Sequence, residues 1–189
     1  KTPPPLPPRP LPPITSSGSG SESTSLKEMA KKASAGFDKY VPKRNFQRRE
    51  MRETGTFGIV HRATEAATAI DVAVKVEAVS AEAAAELGVR YAVPSHQKRL
   101  QDWALLKKVS SDCVVRLRSC GVANPPHAVW AAFDLSPGGT LRKRLKRTPP
   151  PSPGARIHFA LDLLKGLAAL HNLKIVHNAV SMDNAYLSS

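Results

Sequence analysis

Two glycines and a lysine form the first group of residues whose types and spacing could do chemistry. Gly55 and Gly58 lie in the segment ETGTFGIV, and Lys75 ends the later segment VAVK. Glycines at a turn between strands let backbone amides approach phosphate oxygens, because no Cβ atom obstructs them. A lysine on the neighbouring strand can reach the same phosphates as a point charge. A Gly-x-x-Gly pair alone is more often a hairpin turn, but together with VAVK it predicts a phosphate-binding site.

The elements that must position these residues are strands and helices of a folded domain. Four segments alternate or run apolar in the manner of strands: FGIVHRAT, DVAVKVEAV, CVVRLRSCGV and HAVWAAFDL. Three segments have a helical pattern: AEAAAEL, SHQKRLQDWALLKKV and the short basic TLRKRLKR. A small sheet that comes first, with helices after it, predicts an α+β fold.

A longer helix is predicted from Ala155 to His171. It directly follows the proline-rich segment TPPPSPG, which interrupts regular secondary structure. Its apolar positions recur with the spacing of a buried helix face. These positions are Ile157, Ala160, Leu161, Leu164, Leu167 and Ala168. This spacing is typical of a helix with one buried face.

The composition changes along the first fifty residues. Residues 1–25 are rich in proline and then in serine and glycine, which predicts a disordered tail that begins as polyproline II. Residues 26–50 carry many charges and predict a charged linker with a short helix or docking segment at most. The apolar pattern of a folded domain begins at about residue 51.

The segment from Met51 to Leu187 resembles the first two-thirds of a eukaryotic protein kinase domain. The kinase pattern G-x-G-x-x-G-x-V is matched by Glu53 to Val60, with Glu53 in place of the first glycine. The resemblance implies a protein-kinase-like α+β fold. A small antiparallel sheet lobe with one helix would occupy residues 51–135, and the hinge and the start of a helical lobe would occupy residues 136–189.

The resemblance also implies a site for ATP and Mg²⁺. Gly55, Gly58 and Val60 match the glycine-rich loop that covers the phosphates, and Lys75 matches the lysine that pairs with them. Ala73 matches the small residue that packs over adenine. Because the helical lobe is incomplete, we expect binding of ATP and Mg²⁺ to this fragment to be weak or absent.

Three further positions of this site follow from the resemblance. Asp134 and Ser136 match the hinge backbone, behind Phe133 at the gatekeeper position. Asp102 falls where the family has the helix glutamate that holds the lysine, but its side chain is shorter by one methylene. Two alternatives stay open for Asp102, an ion pair with Lys75 and a solvated helix carboxylate.

The segment KIVHNAVSMDNAYL resembles the catalytic loop H-R-D-L-x-x-x-N. His177 and Asn184 match, and Asn184 would be a ligand of the metal. Ala179 stands where the family has the aspartate that accepts the substrate's hydroxyl proton, so no catalytic residue is assigned. The chain ends at Ser189, before any D-F-G segment, and we expect Leu161 and Leu164 to be exposed for want of covering helices.

The resemblance with these departures predicts a pseudokinase that acts as a nucleotide-binding or protein-interaction regulator or scaffold. One alternative is an ATP-dependent Ser/Thr protein kinase with divergent motifs. Another is a basic nucleic-acid-binding protein, since 28 basic and 15 acidic residues give a net charge of +13. Aromatic residues make up only 5% of the chain and no base-stacking module is visible, which disfavours nucleic acid as the partner.

Protein partners are predicted from the N-terminal tail. Pro4, Pro7 and Arg9 fit the P-x-x-P-x-R pattern that Src-homology-3-type domains bind, although such short patterns also arise by chance in extended tails. No membrane span is predicted, because no run of 18 apolar residues exists. The two cysteines have no metal-like spacing, and a cytoplasmic or nuclear location is expected.

Overall fold

The computed structural model describes residues 22–55 and 58–188. Its elements in chain order are α1 (Glu22–Tyr40), β1 (Phe46–Thr54), β2 (Gly58–Glu65), β3 (Asp71–Ala78), α2 (Ala81–Leu87), α3 (His96–Leu106), β4 (Leu117–Val122), β5 (Ala128–Asp134), β6 (Gly139–Thr140), α4 (Leu141–Leu145), α5 (Pro153–Asn172) and β7 (Tyr186–Leu187). The predicted strands and helices all form, with ends no more than four residues from those expected.

A five-stranded sheet in the order β1-β2-β3-β5-β4 forms the first lobe, and β6 and β7 pair separately. Every pair of neighbouring strands is antiparallel. This architecture confirms the α+β fold with a small antiparallel sheet lobe. Helix α2 begins at a polar N-cap residue. The Ser80 hydroxyl accepts a 3.2 Å hydrogen bond from the backbone N–H of Ala83.

Residues 26–50 differ from the charged linker that the sequence predicts. Most of them belong to α1, a helix of 19 residues, and to the beginning of β1. Ala33, Phe37 and Tyr40 on α1 are buried, and they lie in one hydrophobic cluster with β2 and β3. Their spacing of four and three residues makes one apolar stripe on an otherwise charged helix, so the folded unit begins before residue 51.

The two faces of the sheet are covered by different helices. On one face α1 and α2 pack over the central strands, and α1 passes so close to α2 that a Cβ atom at Gly36 would overlap the side chain of Leu87. On the other face α3 covers β4 and β5 through a second cluster built on Trp103, Leu117 and Val129. We call the remaining part of that second face, formed by β2 and β3, the open face.

The expected buried face of α5 is exposed. Ile157 and Leu164 are 60% and 61% exposed, and Leu161 is exposed as well. The helix is anchored instead by Gly166, against the carbonyl of Cys113, and by the buried Leu170. The exposure of Leu161 and Leu164 confirms the expected apolar surface, since no element of the described chain packs there. Among the described residues, no helix is both long enough and apolar enough to cross a membrane.

Candidate functional site

The glycine turn joins β1 to β2 at the edge of the open sheet face. The backbone N–H of Gly55 donates a 2.8 Å hydrogen bond to the carbonyl of Gly58, which closes the turn. A Cβ atom at Gly58 would overlap the carbonyl oxygen of Val76 on β3, so only glycine lets the turn lie this close to the strand. Residues 56 and 57, at the tip, lie outside the described part of the chain.

Val60, Ala73 and Lys75 share the face of the sheet on which the turn lies. Val60 is the direct cross-strand partner of Lys75, and cross-strand partners in an antiparallel pair point to the same side. Ala73 is two residues from Lys75 and therefore on the same side too. All three side chains are half-buried. The structure thus brings together the predicted residues Gly58, Val60, Ala73 and Lys75.

Lys75 has a partner that the sequence prediction missed. Its ammonium nitrogen lies 2.6 Å from Oε1 of Glu77, and Nε of Arg99 on α3 lies 2.6 Å from Oε2 of the same carboxylate. The Glu77 side chain is only 2% exposed. The two-residue spacing in VKVE, which puts both side chains on one face of β3, is the signal that could have identified it.

Asp102 lies with the cations of its own helix. Its carboxylate is 3.6 Å from the ammonium of Lys98 and 3.9 Å from the guanidinium of Arg99. The structure therefore favours the second alternative for Asp102, a helix carboxylate, and does not bring it to Lys75. Its predicted role toward a cofactor stays a prediction.

The predicted hinge residues lie at the end of β5 and directly after it. Phe133 pairs with Ala73 across the sheet, which puts it on the same side as Lys75, where it packs against the Trp103 cluster. The Asp134 carboxylate accepts hydrogen bonds from Arg116 at 3.0 Å and from Arg118 at 3.2 Å. The carbonyl of Ser136 accepts from the N–H of Gly139 at 3.5 Å, which turns the chain into β6.

Arg118 connects the hinge to the far end of the β2–β3 hairpin. Besides Asp134, its guanidinium donates to the carboxylate of Glu65 at 2.5 Å, and the Arg118 side chain is 14% exposed. This contact, with a hydrogen bond from Thr68, holds the pKa of Glu65 below its usual value. The end of β5 is thereby fixed relative to the sheet.

The loop after α5 holds Ala179 by its backbone on both sides. The N–H of Ala179 donates to Nδ1 of His177 at 3.2 Å, and its carbonyl accepts from the side-chain amide of Asn184 at 2.8 Å. The two predicted matches, His177 and Asn184, are therefore brought to the residue between them. What this loop presents to solvent at Ala179 is a methyl group, which can neither accept a proton nor carry charge.

Asn184 lies without a group of further metal ligands around it among the described residues. The carboxylate of its neighbour Asp183 accepts a 2.6 Å hydrogen bond from Arg142 on α4, which lowers the pKa of Asp183. Within the described residues, no three His, Cys, Asp or Glu side chains are grouped as they would be to hold a metal ion. The donor set around Asn184 does not fit a divalent cation without further ligands.

The comparison with known families agrees with this geometry. The sequence model described as Protein kinase domain matches residues 50–188. The chain belongs to the protein kinase domain family. A similar protein is the RasGEF domain-containing serine/threonine-protein kinase X of Dictyostelium discoideum, 31% identical over 67 residues. The chain spans only 7% of the length of that kinase, and the match covers 35% of this chain.

In the terms of this family, β1 to β5 with α3 form the N-lobe, and α3 is the αC helix. The family match begins at Glu50, inside β1, so α1 precedes it. The kinase domain is thus extended by a helix that covers the outer face of the N-lobe sheet. ATP and Mg²⁺ are the usual ligands of the family.

Proposed function

We propose that this chain is a pseudokinase, a kinase-like domain that regulates or scaffolds through binding of nucleotide or protein partners and does not transfer phosphate. The open face with Gly58, Val60, Ala73 and Lys75 supports nucleotide binding. When bound, ATP would bring a γ-phosphoryl group, and the chain's own contribution would be the glycine turn over the phosphates and the charge of Lys75. Asp134 and Ser136 would supply backbone groups for the adenine.

One observation supports the proposed lack of phosphotransfer activity. The catalytic loop is closed around Ala179 by His177 and Asn184, so the backbone of the loop is in place while the proton-accepting carboxylate is not. A base of this kind contributes typically about 10²- to 10⁴-fold to a rate. Asp183 does not replace it, because its carboxylate is engaged by Arg142.

A radiometric assay with labelled ATP and Mg²⁺ tests this proposal. We expect no transfer to a generic protein substrate or to the chain itself above the level of a Lys75→Met variant. Turnover by the wild-type chain that disappears in Lys75→Met would overturn the proposal. The variant Ala179→Asp restores the carboxylate alone, and transfer by this variant only would show that Ala179 is the limiting defect.

The second candidate is an active Ser/Thr protein kinase with divergent motifs. The printed name of the Dictyostelium relative, a serine/threonine-protein kinase, favours it, as does the placement of Lys75 and Gly58. Under this alternative the assay above gives Lys75-dependent turnover in the wild-type chain, and the two candidates are separated by that one measurement.

Protein partners form the other part of the proposal. Pro4, Pro7 and Arg9 fit the ligand pattern of Src-homology-3-type domains and lie outside the described residues. Such domains bind two proline-lined ridges and pair the arginine with an acidic pocket. We expect the full chain to bind members of a panel of these domains and an Arg9→Ala variant to lose that binding. A wild-type chain that binds none of them would end this part of the proposal.

A further inference from the structure

Glu77 is a buried carboxylate shared by two cations from different elements. One oxygen faces the ammonium of Lys75 on its own strand, and the other faces the guanidinium of Arg99 on α3, each at 2.6 Å. A carboxylate with 2% of its side chain exposed is strongly destabilised unless it is paired. The Arg99 contact is an ion pair by distance alone, since neither Glu77 Oε2 nor Arg99 Nε has a hydrogen-bond partner among the described residues. Glu77 is therefore part of an ion-pair network and not a solvated strand residue.

The same carboxylate lies beneath the glycine turn. Gly58 is the direct cross-strand partner of Glu77, and a Cβ atom at Gly58 would come within 3.0 Å of its Cγ. Glu77 thus contacts the turn, Lys75 and α3 at once. These are the three elements whose relative position decides where a phosphate group could be bound.

The contact between strand and helix has its charges exchanged relative to the kinase family. In the family the helix supplies the carboxylate that holds the lysine, and moving the helix breaks the pair. Here the helix supplies a cation, Arg99, and the strand supplies the carboxylate, Glu77. Asp102, at the helix position of the family's carboxylate, is turned to Lys98 and Arg99.

We propose that Glu77 is the positioning residue for Lys75 and that it replaces the helix carboxylate of the family in this role. Because Lys75 and Glu77 lie two residues apart on one strand, their pair forms within β3 and uses no carboxylate from α3. Arg99 then attaches α3 to a pair that is already formed. In this domain the ion pair that orients the phosphate-binding lysine lies within one strand and does not include Asp102.

The first test measures Lys75 in the nucleotide-free chain. Acylation by N-hydroxysuccinimidyl acetate, followed by peptide mass spectrometry, gives the rate at Lys75, which is 41% exposed. The exposed Lys108 serves as the internal reference. An ammonium held by a carboxylate reacts more slowly, so we expect Glu77→Gln to speed labelling of Lys75 by about tenfold, as for loss of one charged contact. Glu77→Asp should give an intermediate rate, and Asp102→Asn should leave it unchanged.

The second test rests on the proposed nucleotide binding and uses calorimetry with ATP and with adenosine, both with Mg²⁺. We expect Glu77→Gln to weaken ATP binding by about tenfold and adenosine binding by less than about twofold. General damage to the fold would weaken both ligands. Asp102→Asn, a change at a half-exposed carboxylate, should change neither.

The outcomes separate the two proposals. A wild-type chain that binds neither ligand defeats nucleotide binding, while the acylation rates still decide the role of Glu77. If Glu77→Gln does not fold, Glu77→Asp and Asp102→Asn decide it. Faster labelling of Lys75 in Asp102→Asn, or unchanged labelling in a folded Glu77 variant, would overturn the assignment of Glu77.

Discussion

The hydroxyl of Tyr40 at the end of α1 donates a 2.6 Å hydrogen bond to the carboxylate of Glu86 on α2. Lys39 contacts the same carboxylate, and together these contacts lower the pKa of Glu86. The contact joins a helix that precedes the family match to a helix inserted between β3 and α3. Two helices that contact each other, α1 and α2, therefore cover the outer face of the N-lobe sheet.

Truncation of Phe37 tests whether α1 is an integral part of the domain. Phe37 is 2% exposed and packs against the ring of His61 with 4.8 Å between ring centroids. We expect Phe37→Ala to lower the free energy of unfolding by about 3 to 5 kcal/mol, the usual cost for a buried phenylalanine. Lys32→Ala, at an exposed position of the same helix, should change it by less than about 0.5 kcal/mol. Equal effects in urea denaturation would show that α1 is detached in solution.

The two glycines of the turn should respond differently to alanine. At Gly58 the new Cβ atom overlaps the Val76 carbonyl, whereas at Gly55 the nearest atom is the Gly58 carbonyl oxygen at 3.4 Å. We expect Gly58→Ala to cost about 1 to 3 kcal/mol through backbone displacement. Gly55→Ala should be neutral, or should stabilise by up to about 1 kcal/mol through the unfolded chain. Thermal unfolding of both variants measures this, and an equal loss at both positions would contradict the geometry.

The sequence predicted those parts of the site that follow from strand periodicity. Val60, Ala73 and Lys75 fall on one face because side chains alternate along strands, and the turn glycines specify where the two strands meet. Tertiary packing decided the rest. Glu77 is buried beside Gly58 and Arg99, which come from other elements, so spacing along β3 does not predict its burial. Helical spacing does give the two cations beside Asp102, since Lys98 and Arg99 are its i−4 and i−3 neighbours.

The apolar stripe of α1 shows a similar limit. Ala33, Phe37 and Tyr40 have helical spacing, but the charged residues around them conceal the pattern in a compositional survey. On α5 the periodicity correctly predicted a helix, but the face that has the spacing of a buried stripe is exposed. An apolar stripe indicates which face can be covered, and only the packed structure shows whether it is.

His61 should make the stability of the domain depend on pH. The side chain is fully buried between β2 and α1, and burial, with the positive charge of Arg48, lowers its pKa from 6.5 to about 4. Arg48 is itself paired with Asp38 at 2.9 Å, and the negative charge of Asp38 offsets part of the effect of Arg48 on the imidazole. As pH falls below about 6.5, the unfolded chain takes up a proton that the folded chain does not, and stability declines until about pH 4.

Urea denaturation at pH 7.5 and pH 5 checks this expectation. We expect the wild-type chain to lose about 2 kcal/mol more than a His61→Gln variant between these two values. The comparison is between pH values within each protein, so any constant cost of the substitution cancels. Identical pH dependence in the two proteins would show that His61 is protonated or exposed in the folded chain.

Two arginines that face Asp134 provide a matched pair for the hinge. Arg118 is 14% exposed and also binds Glu65, whereas Arg116 is 70% exposed. We expect Arg118→Gln to lower the free energy of unfolding by about 2 to 3 kcal/mol, because it leaves a partly buried carboxylate without its cation. Arg116→Gln should cost less than about 1 kcal/mol, as is usual for an exposed ion pair. A reversed order, measured by urea denaturation, would mean that Arg118 is not the residue that connects the hinge to the hairpin.

The exposed face of α5 should tolerate polar residues that its buried face does not. Leu164 is 61% exposed, while Leu170 on the same helix is 4% exposed. We expect Leu164→Gln to change the free energy of unfolding by less than about 1 kcal/mol. The variant should also self-associate less in light scattering, because a polar side chain replaces an exposed apolar one. Leu170→Ala should cost about 2 to 5 kcal/mol. A large loss at Leu164 would show that this face is covered in solution, because a side chain that already contacts water has little burial to lose.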